Sequence, residues 1–297
     1  MLWAYCNGVH RGQSRYQQAV DHLRQALALF KSAGDRTGQA RALGNLGIIH
    51  NHLGRHQEAI GYYRQALAIY GETGNRIGMA NTLTNLGVND ERQGRYYLAA
   101  RHHRQALAIA ADIGARDLEC IALVNLGGVG LRQGQYREAA DHLHQALAVS
   151  RETGYRDAEA EALARTGDLC LRQGHPDEAV RHLRQGLALH REIGNPSNEA
   201  DALNSLGEAL LAIGQPDHAH TEYAAALALA AHTGQKYQQA RAHHGLGQVS
   251  HADGDPSQAR RHWQEALTLF TELGTPEAGQ VRTQLAAAHD GYHGKQM

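Results

Sequence analysis

The stretch Leu43-Gly44-Asn45-Leu46-Gly47-Ile48-Ile49-His50-Asn51-His52-Leu53-Gly54-Arg55-His56-Gln57-Glu58-Ala59-Ile60-Gly61-Tyr62-Tyr63-Arg64-Gln65-Ala66-Leu67 is one copy of a pattern that returns every forty residues. Its Leu-Gly step recurs at Leu86-Gly87, Leu126-Gly127, Leu206-Gly207 and Leu246-Gly247, with Thr166-Gly167 in the remaining place. Its polar-Ala-Leu step recurs at Gln25-Ala26-Leu27, Gln105-Ala106-Leu107, Gln145-Ala146-Leu147 and Glu265-Ala266-Leu267, with looser copies ending at Leu187 and Leu227. Two further glycine columns, one through Gly54, Gly94 and Gly134 and one through Gly34, Gly74 and Gly114, punctuate each unit. A fixed period of this length marks a repeat architecture in which each unit is one supersecondary element.

Within the quoted copy, Leu43, Leu46, His50 and Leu53 share one helical face, and after Gly54 the residues Ala59, Tyr63, Ala66, Leu67 and Tyr70 share another. Each unit is therefore predicted to be two antiparallel helices. Asp35, Asn75, Asn195 and Thr275 stand where helix caps are needed, and Pro176, Pro256 and Pro276 fall just inside helix starts. No segment alternates with period two, so no strands are expected.

These residues resemble the tetratricopeptide repeat: Leu46-Gly47, Gly54, Ala59, Tyr63 and Ala66-Leu67 fall at that family's signature spacing, in its longer, forty-residue variety. The resemblance implies an all-α fold, an α-solenoid in which antiparallel helix pairs wind into a right-handed superhelix. The expected organisation is a single array over 1–290, with seven helix pairs and a closing helix at about 280–289, then a frayed tail at 291–297. The segment from Gly254 through Trp263 to Glu277 looks like the last repeats of actinobacterial antibiotic-regulatory and signal-transduction ATPase proteins. At the other end, Trp3, Cys6 and Asn7 occupy the places of Leu43, Leu46 and Gly47, so the chain starts inside a helix without a polar cap. A solenoid end needs covering, which predicts missing upstream sequence, a partner, or self-association through this end.

The charge balance, 29 Lys+Arg against 30 Asp+Glu for a net of −1, gives no basic surplus for nucleic acid or an anionic membrane. All but Lys31, Lys236 and Lys295 of the cations are Arg, which hints at a GC-rich bacterial source. The longest purely apolar run, at 224–231, is far short of the ~20 residues that cross a bilayer. Cys6, Cys120 and Cys170 are odd in number and far apart, fitting buried thiols in a reducing compartment and a cytoplasmic location.

The 21 histidines raise a metal hypothesis. Five of them, His22, His102, His142, His182 and His262, form one column on successive second helices. Stacked helices lie roughly 8–10 Å apart, so the column reads as solvated decoration and no metal is expected. No phosphate-binding loop, His-Glu-x-x-His or Gly-x-Ser-x-Gly motif occurs, and no cofactor is expected. The arginine column Arg24, Arg64, Arg104 and Arg184 reads as local helix salt bridges, with Asp21 before Arg24 and Asp177 before Arg181.

Two places break their columns. Asn89 stands where other units carry Ile49, Val129 or Leu169, Asp90 follows it, and His103 replaces Leu23, Tyr63 or Leu143. An unpaired buried carboxylate is costly, so an Asp90–His103 pair is expected between the helices, either a satisfied core joint or a pH-sensitive one. On the first helices, Asn45, Asn85 and Asn125 recur at one position, followed by Arg165 and Ser205. An asparagine amide can donate to and accept from a peptide backbone together. With Asn81 and Asn204 these residues form the candidate peptide-binding set on the concave face. The arrangement resembles family members that clamp carboxylate-ended peptides, except that Glu161 stands where that clamp wants a lysine.

The functional expectation is a non-catalytic scaffold that binds a peptide or helix of another protein, as the interaction arm of a bacterial transcriptional or signalling regulator. The alternative is a free-standing adaptor or assembly factor. An enzyme on this frame would need convergent acid and base groups, for which only Asn89, Asp90 and His103 qualify.

Overall fold

The structure, a computed structural model, describes residues 12–293. They form fourteen helices: α1 (Gly12–Ser32), α2 (Arg36–His52), α3 (His56–Glu72), α4 (Arg76–Arg92), α5 (Tyr96–Asp112), α6 (Arg116–Gln133), α7 (Tyr136–Thr153), α8 (Arg156–Arg172), α9 (Pro176–Ile193), α10 (Pro196–Ala212), α11 (Pro216–Thr233), α12 (Lys236–Ala252), α13 (Pro256–Leu273) and α14 (Glu277–His293). Among the described residues there is no strand. The even-numbered helices α2 to α12 are the first helices of six complete pairs, and α1 is the second helix of a pair whose first half lies outside the described residues. The reading of an uncapped end at Trp3, Cys6 and Asn7 also lies outside them.

The chain divides into two compact units, Arg11–Arg165 and one built from Thr166–Met297, with the boundary inside α8. In both, connections of two or three residues force consecutive helices antiparallel. Each turn closes by the same device: the glycine sits at positive φ, as at Gly54 (72°) and Gly134 (71°), and the next amide reaches back to the carbonyl five residues earlier. Arg55 N–H donates to His50 O at 2.9 Å and Gln135 N–H to Gly130 O at 2.8 Å. Only glycine adopts that conformation without strain.

The Leu-Gly column sets how closely the two helices of a pair approach. Gly47 lies against the ring of Tyr63, Gly87 against His103, Gly127 against Leu143, Gly207 against Tyr223 and Gly247 against Trp263. A side chain sixteen residues on rests directly on helix backbone, so the core is continuous from first to second helix. In the first unit, Val20, Leu23, Leu46 and Ile49 form one such cluster, and Ala59, Ile60, Tyr63 and Leu86 the next. In the second, Leu183, Leu203, Leu206, Tyr223 and Leu246 belong to one larger core.

Asp35, Asn75 and Asn195 cap α2, α4 and α10 as expected, accepting from Gly38, Gly78 and Asn198 N–H. Thr275 does not: its buried hydroxyl makes no hydrogen bond. Asp255 supplies a cap that the sequence reading missed, accepting from Ser257 and Gln258 N–H at 3.1 and 3.0 Å. The closing helix α14 is longer than the expected 280–289, because helix begins directly after Pro276 and the alanine run after Leu285 carries it through 291–293.

The first residue of a first helix is repeatedly clasped to the last turn of its partner. Arg36 pairs with Glu72, Arg76 with Asp112 at 2.9 Å, Arg116 with Glu152 at 2.6 Å and Lys236 with Glu272 at 2.8 Å. A cation at a helix start and an acid at a helix end each oppose the helix dipole; here they neutralise one another.

Candidate peptide-binding face

Asn45, Asn85 and Asn125 lie on α2, α4 and α6, consecutive first helices that pack directly on one another. All three are half-buried, and among the described residues none of their amides makes a hydrogen bond within the chain. They therefore form a row of open donor-acceptor groups at helix-packing intervals of roughly 8–10 Å, about three residues of extended chain per amide. Asn81 is exposed on α4, one turn before Asn85.

Arg165 and Asn204 are placed differently. The Nε of Arg165 donates to Glu161 on its own helix at 2.8 Å, and its guanidinium fills the space that a side chain at Gly128 would take. Asn204 is a bridge between repeats: it is 1% exposed, and its Nδ2 donates to both the backbone and side-chain oxygens of Gln238, at 3.0 and 3.1 Å. It is thereby withdrawn from any ligand.

The second unit carries a charged cluster on α8, α10 and α12. Arg241 donates to Asp201 Oδ1 at 2.5 Å and to Ser205 Oγ at 3.2 Å, and Glu208 lies 3.7 Å away. Burial opposes the charge on Arg241, yet Asp201, Asp168 and Glu208 together hold its guanidinium above the ordinary value. Burial, then Asp201, pushes the Asp168 carboxyl up to about 6, against the pull of Arg241 and Ser205. The signal for this cluster was available: Glu161, Asp201 and Arg241 share one column and Asp168 and Glu208 another, so opposite charges meet across adjacent repeats.

The polar joint of the third repeat is buried as expected, with Asn89 and His103 0% and Asp90 3% exposed, but the pairing differs. Asp90 binds Arg95 at 2.5 Å and His102 Nδ1 at 2.8 Å, while His103 Nε2 meets Glu91 at 2.9 Å. The reason is geometric. His103 lies over Gly87, and Glu91 is one helical turn beyond Gly87 on the same face, whereas Asp90 points toward the turn that carries Arg95. Asn89 Oδ1 and Asn51 Oδ1 both lie 3.0 Å from His56 Nδ1, tying α2, α3 and α4 together.

In the histidine column, His22 is exposed as expected, but the other four members are not solvated decoration. His102, His142, His182 and His262 are half-buried, and burial lowers the pKa of His102, His142 and His262. In the arginine column, Arg104 on α5 reaches Glu138 on α7 at 3.6 Å, across helices rather than along its own. Among the described residues, no group of three or more His, Cys, Asp or Glu is placed to hold a metal ion, and no helix is long and apolar enough to cross a membrane.

The tetratricopeptide repeat profile matches residues 8–72, 38–112, 78–150, 117–192 and 198–272 in overlapping copies. The chain belongs to the tetratricopeptide repeat family. No curated protein registers as a relative. Solved tetratricopeptide-like structures share the fold at low identity. Aspartyl phosphate phosphatase F from Bacillus subtilis is 19% identical over 92% of this chain and 68% of its own, with a TM-score of 0.67. A Rap protein complexed with competence and sporulation factor is 16% identical over 94% and 87%, with a TM-score of 0.63. A signal transduction ATPase with numerous domains and a tetratricopeptide repeat sensor, from Pyrococcus horikoshii, is 15% identical over 93% of this chain and 43% of that one, with a TM-score of 0.66.

Proposed function

We propose that this tetratricopeptide repeat chain binds an extended segment of a partner protein along the first helices of residues 12–165. The observation that carries the reading is the row of open, half-buried amides at Asn45, Asn85 and Asn125, set on three adjoining helices. Each can satisfy one N–H and one C=O of a bound backbone, which fixes an extended chain without demanding a particular sequence. No convergent acid-base pair accompanies the row, so binding without catalysis is the role we assign.

Two neighbours lend this reading support: a Rap protein that holds competence and sporulation factor, and an ATPase whose repeats serve as its sensor. Together with the likeness of residues 254–277 to actinobacterial regulators, they favour the interaction arm of a bacterial, cytoplasmic regulator over a free-standing adaptor.

The test is affinity capture from a lysate of the source organism, comparing the chain with an Asn45→Ala, Asn85→Ala, Asn125→Ala variant of matched helicity. A partner held by the parent and lost by the variant supports the row. A partner held equally by both overturns it.

A further inference from the structure

The three helices that carry the open amides each contain two arginines: Arg36 and Arg41 on α2, Arg76 and Arg92 on α4, Arg116 and Arg132 on α6. The first of each pair is clasped to an acid, Glu72, Asp112 or Glu152. Among the described residues the second has no carboxylate within ion-pair distance, and all three of these second arginines are exposed. At about 100° per residue, Arg41 lies about 40° around its helix from Asn45, and Arg92 and Arg132 lie about 20° from Asn85 and Asn125. Each therefore extends the face that its asparagine opens, Arg41 one turn before the amide row and the other two about two turns after it.

No acid offsets them on that face. α2 contains no Asp or Glu, and α6 contains none after Glu119. The acids of α4, Asp90 and Glu91, are both spent in the polar joint, on Arg95, His102 and His103. His52, the counterpart of Arg92 on α2, stacks on Tyr16, and burial, then Arg92, lowers its pKa, so that it stays neutral at pH 7. The chain as a whole is near neutral, with a net charge of −1, so a face of three arginines and no carboxylate is a local arrangement.

We propose that the segment bound along the amide row is acidic, a polyproline II chain with a carboxylate at every third residue, two of them seated on Arg92 and Arg132. The inference rests on the amide row and names the chemistry of its occupant. Arg92 and Arg132 are one repeat apart, roughly 8–10 Å between packed helices. A polyproline II chain returns to the same edge every three residues, a rise of about 9.3 Å, so acids at that spacing meet both guanidiniums while the backbone stays over Asn85 and Asn125. A β-strand turns residues three apart to opposite faces and does not. The two turns between amide and guanidinium, about 10.5 Å, lie within the combined reach of an Arg and a Glu side chain. Each guanidinium receives its carboxylate through two parallel N–H donors, and Arg41, on the other flank of the row, takes an acid from another edge of the same chain.

The experiment uses the full chain and a labelled peptide of four Glu-Pro-Ala units, read by fluorescence anisotropy at low salt. Proline holds itself and the residue before it near polyproline II, while Glu and Ala keep their N–H groups. This peptide should bind at least about tenfold tighter than its Gln-Pro-Ala counterpart, and the advantage should be lost at about 1 M salt. Arg92→Gln combined with Arg132→Gln should bring the two peptides to equal affinity. Arg24→Gln combined with Arg64→Gln, exposed arginines of second helices, should change nothing. A peptide with glutamate at every fourth residue should bind more weakly; equal binding overturns the three-residue spacing. Equal binding of the Glu and Gln peptides overturns the acidic partner, as does an equal loss in the Arg24, Arg64 variant, which would mean attraction by charge at large. The Asn45→Ala, Asn85→Ala, Asn125→Ala variant tests the underlying reading separately: binding at full strength there overturns the amide row, and binding of neither peptide to the parent overturns both.

Discussion

Asp90 of α4 and His102 of α5 are joined at 2.8 Å inside the first unit, and the adjacent residues Glu91 and His103 form a second joint beside them at 2.9 Å. Two polar links replace the apolar contact that other repeats make at this place. Asp90 also holds Arg95, so its loss strips a partner from two groups at once. Asp90→Ala should cost about 3 kcal/mol in urea unfolding. His103→Leu, which restores the residue found at 23, 143 and 183, should be neutral or stabilising. The reverse order would show that His103 and Glu91, not Asp90, hold the joint.

The buried imidazoles fix the sign of the pH dependence. Burial lowers the pKa of His50, His52, His102, His142, His243, His244 and His262 below 6.5. A group so depressed binds fewer protons folded than unfolded. Its stabilisation is complete above about pH 6.5 and is lost as the pH falls through that value. The urea midpoint should therefore be lower at pH 5.5 than at 7.5, and His142→Gln should reduce the difference.

Asp168 works in the opposite sense. Its carboxyl, pushed up to about 6, carries a charge that opposes folding above that pH and is relieved below it. Asp168→Asn should stabilise the chain by about 1 kcal/mol at pH 7.5, a gain that should shrink as the pH falls through about 6 and vanish by about pH 3, where the carboxyl is neutral both folded and unfolded. Thermal melts of the two proteins across this range read the effect directly.

Gly47 and Tyr63 test the close approach within a pair. A methyl group on Gly47 collides with the ring of Tyr63, which is 1% exposed and cannot swing away. Gly47→Ala should destabilise by about 1–3 kcal/mol. In a Tyr63→Leu background the penalty should shrink, and the double-mutant cycle should return a coupling above about 0.5 kcal/mol.

The period, the helix pairs and the turn glycines were legible because each rests on spacing along one chain: Gly54 must take positive φ, and Leu46 must face the core. Burial of Asn89, Asp90 and His103 was legible for the same reason, as breaks in apolar columns. Which of them pair was not, because adjacent helix positions diverge by a quarter turn and the reach of Arg95 is invisible in a column. Asn204 and Asn45 carry the same side chain, yet only Asn204 has Gln238 opposite it. That difference belongs to the neighbouring repeat, as does the Arg241 cluster with its contributors from three helices.

The clasps Arg36–Glu72, Arg76–Asp112, Arg116–Glu152 and Lys236–Glu272 have both members inside one forty-residue segment. So do the glycine that reverses the chain and the large side chain that rests on the Leu-Gly step. A segment cut just before one such cation and spliced before another therefore travels with its own fastenings and leaves those of its neighbours undisturbed. The His56–Asn89 contact, the Asn204–Gln238 bridge and the Arg241 cluster tie particular repeats to their neighbours, whereas the clasp and the turn travel with each segment. Deleting or duplicating residues 36–75 should shift the length of the binding row by one amide, which makes reach along a partner a quantity adjustable in whole steps.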